Sequence, residues 1–135
     1  MRTTEHTEQH LPRIARLLGF EGEPKWLTIR FAVSISVALD EKINMTEKID
    51  FSNGKTYNLE VLTGKGKLDL TGDQADYNDL MALILTNNEG KPIRTEREFE
   101  KAFEFHCERG FNILISSLRD NSDIFGWISQ EFNPL

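Results

Sequence analysis

The chain has 135 residues, and its 16 lysines and arginines against 22 aspartates and glutamates give it a formal net charge of −6. This length fits one domain with one hydrophobic core, and a hydrophobic content of 39% excludes an intrinsically disordered chain. The longest apolar run, residues 31–39, is far shorter than the roughly 20 residues that a membrane-spanning helix needs. We therefore expect no contact with a membrane.

Cysteine content and the polar amino-terminal residues indicate a cytoplasmic protein. The single cysteine, Cys107, excludes an internal disulfide and a multi-cysteine zinc site, and nothing at the start of the sequence reads as a signal peptide. The acidic net charge is not typical of a nucleic-acid-binding protein, because phosphate contacts need clustered cations. A local basic patch remains compatible with this charge.

The first half of the chain predicts two helices. Apolar residues recur at helical spacing from His10 to Phe20, and Gly19 ends that segment. Pro24 then opens a second helix that extends to about Ile43 and is apolar almost all round. A helix without a wide polar face is expected in the centre of a core or shared with a partner chain.

The middle of the chain predicts a short β or extended hairpin. Apolar and polar residues alternate over residues 57–61 and again over residues 68–70, with a glycine-rich turn at residues 63–67 between them. This turn would present Lys65 and Lys67 on an exposed tip.

The second half predicts three helices. Asp73 can cap the first of them, whose buried stripe would comprise Tyr77, Leu80, Met81 and Ile84. Thr95 and Glu98 form a capping box that opens a long helix from about Glu96 to Leu118. A short helix from about Ile124 to Phe132 ends the chain.

The long helix carries two adjacent apolar stripes. One contains Phe99 and Phe103, and we assign it to the core of the protomer. The second is expected to contact another copy or a partner protein, the alternative being one bulky core within the protomer. It comprises Cys107, Phe111, Ile115 and Leu118. Gly110 costs on the order of 1 kcal/mol relative to alanine inside a helix, so it predicts the close approach of another backbone.

Two apparent catalytic or nucleotide-binding motifs do not fit the chemistry that they suggest. Gly54-Lys55-Thr56 ends like a phosphate-binding loop, but Ile49 stands where the first glycine of that motif belongs. His106 and Cys107 are helix neighbours that point about 100° apart, so they cannot act together as base and nucleophile. We expect a protein without enzymatic activity, metal or cofactor.

Acidic and basic side chains leave two kinds of site open. The close spacing of Asp69, Asp73 and Asp76 suggests the metal site of a metal-dependent DNA nuclease. The last two are also explained as residues at the start of a helix. Five basic side chains are candidates for DNA phosphate contacts, the alternative being solvated tips and an internal ion pair: Lys25, Arg30, Lys55, Lys65 and Lys67.

Four segments follow one another in a recognisable order: Arg30-Phe31-Ala32 in the apolar helix, Gly54 to Asn58, Leu70 to Asp73 before the next helix, and His106 to Gly110. Together they resemble the DndE family of bacterial DNA sulfur-modification (phosphorothioation) proteins. The last is similar to a His-x-Glu-(Arg/Asp)-Gly signature on the long helix of the family.

The resemblance implies a mainly α fold related to ribbon-helix-helix proteins and an oligomer. It implies one DndE-like domain over residues 1–135, with a core at about 11–119 and an accessory helix at about 120–135. It also implies a non-catalytic subunit of a restriction-linked bacterial defence system. Such a subunit would bind the DNA backbone, at nicked duplexes, beside sulfurtransferase and ATPase subunits.

Two departures from the family pattern affect these expectations. Residues 59–67 look like an insertion, so Lys65 and Lys67 inherit no role from the family, and the net charge of −6 favours a protein–protein role. A ribbon-helix-helix transcriptional regulator is the alternative in the DNA-binding class, although the chain lacks an alternating strand near its start. The signature residues His106, Glu108 and Gly110 are expected to organise the fold.

Overall fold

The computed structural model describes residues 1–67, 75–119 and 124–132, and its regular elements there are helices. They are α1 (Glu5–Leu17), α2 (Lys25–Ala38), α3 (Leu59–Thr63), α4 (Asn78–Glu89), α5 (Glu96–Ser117) and α6 (Ile124–Phe132). The mainly α prediction is confirmed. None of these helices combines the length and apolar composition of a membrane-spanning segment.

Helices α2 and α5 form the centre of the molecule, because Gly110 lets their backbones touch. A Cβ atom built on Gly110 would lie only 1.8 Å from the carbonyl oxygen of Ala32. Around this crossing the two helices bury Ile29, Phe103 and Leu114, and α1 adds Ile14. The close approach that Gly110 predicts is therefore found within one chain.

Both apolar stripes of α5 are covered by the protomer itself. Cys107 and Phe111 are fully buried, and Leu118 is nearly so. Ile115 is partly buried and packs against the same core. This packing corrects the expectation that the second stripe faces a neighbouring chain. A helix enclosed by α1, α2 and α4 needs apolar residues over most of its circumference.

The first two helices differ from the predicted boundaries, α1 mainly at its start and α2 at its end. α1 begins five residues before His10, because the side chain of Thr4 caps it by accepting the N–H of Thr7 at 3.1 Å. α2 stops at Ala38, well before Ile43, since Asp40 has a φ of 55° and takes the chain out of the helix.

The predicted hairpin is wrong in its first arm. Residues 59–63 form the short helix α3, which the side chain of Asn58 caps by accepting the N–H of Glu60 at 2.8 Å. Leu59 and Leu62 lie on its buried side, a spacing that one helical turn fits as well as a strand. The second arm, residues 68–70, lies outside the described residues.

The start of the chain does not form the strand ribbon of a ribbon-helix-helix protein in the described structure. Arg2 makes an isolated antiparallel bridge with Thr56, and α1 begins at Glu5. The backbone N–H of Arg2 donates to Glu104 at 2.6 Å, so this segment lies against α5.

For the later helices, the predicted boundaries are closer to the structure than the predicted buried residues are. α5 starts with the expected capping box, in which Thr95 accepts the N–H of Glu98, and α6 has the expected bounds. α4 begins at Asn78, and the expected cap Asp73 lies outside the described residues. Its predicted buried stripe is wrong at two positions, because Leu80 and Ile84 are 53% and 40% exposed.

We expect Gly110→Ala to destabilise the fold by about 3 kcal/mol, because the new methyl group collides with the Ala32 carbonyl and overrides the helix propensity of alanine. Urea unfolding of both proteins measures the change. The matched control is Ser116→Ala on the exposed side of α5, which should change stability by less than about 1 kcal/mol. A Gly110→Ala protein as stable as wild type would contradict the close helix contact.

Candidate functional site

The carboxylates of α5 hold the segment that precedes α1. Glu104 pairs with the guanidinium of Arg2 at 3.0 Å. One turn later, Glu108 accepts hydrogen bonds from the backbone N–H of Thr4 at 3.1 Å and from the hydroxyl of Thr7 at 2.9 Å. Both glutamates are buried, and their hydrogen bonds compensate for the loss of hydration. Glu108 of the signature is therefore a structural residue.

His106 connects α5 to α2 and α4. Its Nδ1 atom lies 2.8 Å from the hydroxyl oxygen of Ser36, which also accepts the Nε–H of Arg109 at 2.7 Å. Because the Ser36 oxygen accepts from Arg109, we assign its proton to the bond with Nδ1. The imidazole then carries its own proton on Nε2, which lies 3.5 Å from a carboxylate oxygen of Glu89.

The serine, histidine and glutamate have the order of a hydrolase triad but not its accessibility. Ser36 and His106 are fully buried, so no substrate can reach the hydroxyl. Burial, and secondly the charge of Arg109, lower the pKa of His106 to about 4, so the ring is neutral at neutral pH. Burial also raises the pKa of the Cys107 thiol, which keeps it protonated and unreactive.

Two of the predicted phosphate contacts, Lys25 and Lys55, lie side by side. Lys25 is the first residue of α2, and its Nζ atom lies 3.5 Å from a carboxylate oxygen of Glu8. Contact with the Lys25 ammonium lowers the pKa of Lys55, as expected for two neighbouring like charges. Glu8 also accepts from the hydroxyls of Thr3 at 2.7 Å and Tyr57 at 2.9 Å. Folding thus brings together two lysines 30 positions apart in the sequence.

The second predicted pair, Lys65 and Lys67, lies on an exposed turn after α3. Gly64 and Gly66 there have φ angles of 76° and 82°, a conformation that glycine adopts without strain. Lys65 approaches Glu96 at 3.8 Å, but both side chains are largely exposed, so the ion pair contributes little. These two ammonium groups are accessible to a ligand.

The fifth predicted contact, Arg30, is engaged in holding the fold. Its Nε–H donates to the carbonyl oxygen of Leu62 at the end of α3. Its guanidinium lies 4.3 Å from the ring of Trp26 and 5.6 Å from the ring of Tyr77. The side chain is partly buried, so Arg30 fixes the helix that carries the lysine turn.

The described part of the predicted acidic site is also structural. Asp76 accepts the backbone N–H groups of Gly66 at 3.0 Å and Asn78 at 2.9 Å, and these hydrogen bonds lower its pKa. Asp69 and Asp73 lie outside the described residues. Within residues 1–67, 75–119 and 124–132, no three histidine, cysteine or acidic side chains are grouped to hold a metal ion.

An apolar groove between α2 and α4 was missed in the sequence. It has a volume of about 380 Å³, and its walls include Val33, Val37 and Met81. The exposed side chains of α4 lie beside it, Leu83 being 65% exposed. The sequence contained one indication of this groove. The apolar residues 80, 81 and 83–85 of α4 cover too wide an arc of the helix to be buried on a single face.

We expect the stability of the protein to fall as the pH drops from 6.5 towards 4, because His106 is neutral in the fold and charged when unfolded. Between pH 7.5 and pH 5 this residue alone accounts for about 2 kcal/mol of lost stability. Urea unfolding of wild type and His106→Gln at both pH values measures it, since the other titrating groups are common to both. The advantage of wild type should shrink at pH 5. A pH-independent difference between wild type and His106→Gln would contradict the assignment.

One comparison with known proteins identifies a family for the chain. The family model for DndE, described as DNA sulphur modification protein DndE, matches residues 1–122. No curated protein and no solved structure is significantly similar to the chain. Since the family match covers most of the sequence, the chain belongs to the DndE family, which has a role in DNA sulfur modification.

Proposed function

We propose that this protein is a non-catalytic accessory subunit of a DNA phosphorothioate modification system. It binds the DNA backbone, at nicked duplexes, together with other proteins of the modification complex. Membership of the DndE family supports the assignment to this system. The observation that carries the DNA-binding part is the meeting of the ammonium groups of Lys25 and Lys55 at the first turn of α2.

The two neighbouring lysines form a site with the charge that a phosphate group requires. Glu8 supplies one negative charge against the two lysines, so the cluster keeps a net positive charge. The first turn of α2 follows Pro24 and has no side-chain cap, which leaves the positive end of the helix dipole facing the same place. A phosphate bound here would relieve the repulsion between the lysines.

The turn with Lys65 and Lys67 would extend the same contact along the backbone. Both side chains are exposed on a glycine-containing turn, and Arg30 holds the preceding helix in place. Contacts of this kind bind phosphates and do not distinguish bases. Backbone binding is suited to phosphorothioation, because that reaction replaces a non-bridging phosphate oxygen with sulfur.

Replacing Lys25 and Lys55 together with alanine should weaken binding to a nicked duplex at least tenfold at low salt. The slope of log affinity against log salt should also decrease by about 2, since each phosphate contact contributes about 0.9 to it. Fluorescence anisotropy at several salt concentrations measures both quantities. The matched control is Lys91→Ala, an exposed lysine between α4 and α5, which should leave affinity and slope unchanged.

The double variant Lys65→Ala and Lys67→Ala tests the second pair in the same assay and should also reduce the slope. With four contacts, wild-type affinity should fall about 100-fold between 50 and 200 mM salt. Binding of wild type that is independent of salt over this range would contradict a phosphate-led mechanism.

We further propose that a second copy of the chain occupies the groove between α2 and α4. Leu80, Leu83 and Ile84 form an exposed ridge directly beside this groove. In a two-fold dimer the same surface of both copies meets, so each ridge can fill the groove of the other copy. The ridge and groove are apolar, and their mutual burial would remove both from water.

Replacing Leu83 with aspartate should convert an oligomer to a monomer without lowering the stability of the protomer, because this side chain is mostly exposed. Sedimentation velocity measures the mass in solution. Val61→Asp, at a similarly exposed apolar position on α3, is the control and should keep the oligomer. A Leu83→Asp protein of unchanged mass would exclude this face as the interface.

A further inference from the structure

A cavity of about 610 Å³ lies on another part of the molecule, between the loop at residues 42–50, the start of α1 and the middle of α5. Its lining includes Phe105 and Arg109 of α5 and Ile49 of the loop. None of the five predicted phosphate contacts lines this cavity, nor does the ridge of α4. The volume is in the range of known ligand sites.

Arg109 is held in a fixed orientation at this cavity. Its Nε–H donates to the hydroxyl oxygen of Ser36 at 2.7 Å, and one Nη2–H donates to the Ser36 carbonyl oxygen at 2.8 Å. Ser36 is itself fixed by its bond to His106. The remaining guanidinium N–H groups are left for other acceptors. A guanidinium held in this way loses little entropy when it binds a planar anion.

No carboxylate in the described part of the chain contacts the guanidinium of Arg109 directly. Burial lowers the pKa of Arg109, and the charges of Glu41 and Glu89 offset this effect only in part. No carboxylate in residues 1–67, 75–119 or 124–132 forms an ion pair with it within 4.0 Å. Glu108 is near in sequence, but its oxygens accept from Thr4 and Thr7. The cavity therefore contains a guanidinium that no carboxylate of the described residues contacts within 4.0 Å.

Charges around the cavity define what can bind to Arg109. Its exposed rim carries three carboxylates and two ammonium groups, those of Glu5, Glu47, Asp50, Lys42 and Lys48. Because the carboxylates outnumber the lysines, the rim disfavours a polyanion such as a DNA strand and favours a single anion with cations around it. Phe105 and Ile49 add apolar surface for methylene groups. The preferred ligand thus has one oxyanion, a short apolar stem and positive charges on either side.

We propose that this cavity binds an acidic side chain of a partner protein, in a segment where basic residues flank the glutamate or aspartate. Its carboxylate accepts two hydrogen bonds from Arg109, and the flanking basic side chains pair with the acidic residues of the cavity. The proposal rests on the partner-binding part of the proposed function and assigns it a site. It does not depend on the phosphate contacts of Lys25 and Lys55.

The test is titration of the full chain with a pentapeptide, acetylated and amidated at its ends, that has a central glutamate between two lysines. NMR signals of the Arg109 Nε–H and the Asn112 side-chain amide, both at the cavity, should shift and saturate. A peptide with glutamine in place of the glutamate should bind at least tenfold more weakly. Equal binding of the two peptides would overturn the proposal.

Variants separate recognition from folding. Arg109→Lys keeps the positive charge but loses the planar pair of N–H donors, so its affinity for the glutamate peptide should be at least tenfold lower. Glu47→Lys, on the surface, should also lower this affinity, because the new lysine repels the lysines of the peptide, and it should not affect the fold. Arg97→Lys, on the exposed first turn of α5, is the matched control and should bind as wild type does. Equal losses in Arg109→Lys and Arg97→Lys would overturn the proposal.

Competition separates this proposal from DNA binding. A nicked duplex should leave the Arg109 signal unmoved, and the Lys25→Ala, Lys55→Ala double variant should bind the peptide normally. If inorganic phosphate or the duplex moves the same signals and displaces the peptide, the cavity is a phosphate site and the proposal is wrong. If the protein binds the duplex normally but does not bind the peptide, the inference about this cavity is wrong and the proposed DNA binding is unaffected.

Discussion

The contact of two backbones at Gly110 and Ala32 determines the arrangement of this protein. Because no side chain separates α2 from α5 there, groups on the flanks of α5 can reach elements that would otherwise be too far away. His106 then reaches Ser36 on α2, while Glu108 holds the segment before α1. The signature residues therefore act on three different parts of the fold, and this explains why they occur together on one helix.

The sequence predicts the helices far better than it predicts which of their faces are covered. The capping box at Thr95 and the glycine at position 110 depend on local geometry, so both could be interpreted correctly. The stripe with Cys107 and Phe111 was misassigned, because periodicity shows that a face is apolar but not what covers it. α3 was mistaken for a strand since five residues are too few for the two periods to be distinguished.

The candidate sites depend on contacts between distant parts of the chain, and this limited their prediction. Lys25 and Lys55 were each recognised as basic, but their proximity results from the packing of α1, α2 and the loop against one another. Arg109 lies in the signature segment, but the sequence does not identify it as a binding group, because a single arginine in a helix is usually solvated. Its importance follows from its two bonds to Ser36 and from the absence of an ion-pair partner in the described residues.

The attachment of residues 2–7 to α5 has a consequence for synthesis on the ribosome. The bonds from Arg2 to Glu104 and from Thr4 to Glu108 span 102 and 104 positions. Arg2 and Thr4 are therefore synthesised long before the two carboxylates that they bond. Until α5 has been synthesised, the segment before α1 cannot dock, because its acceptors Glu104 and Glu108 are not yet present.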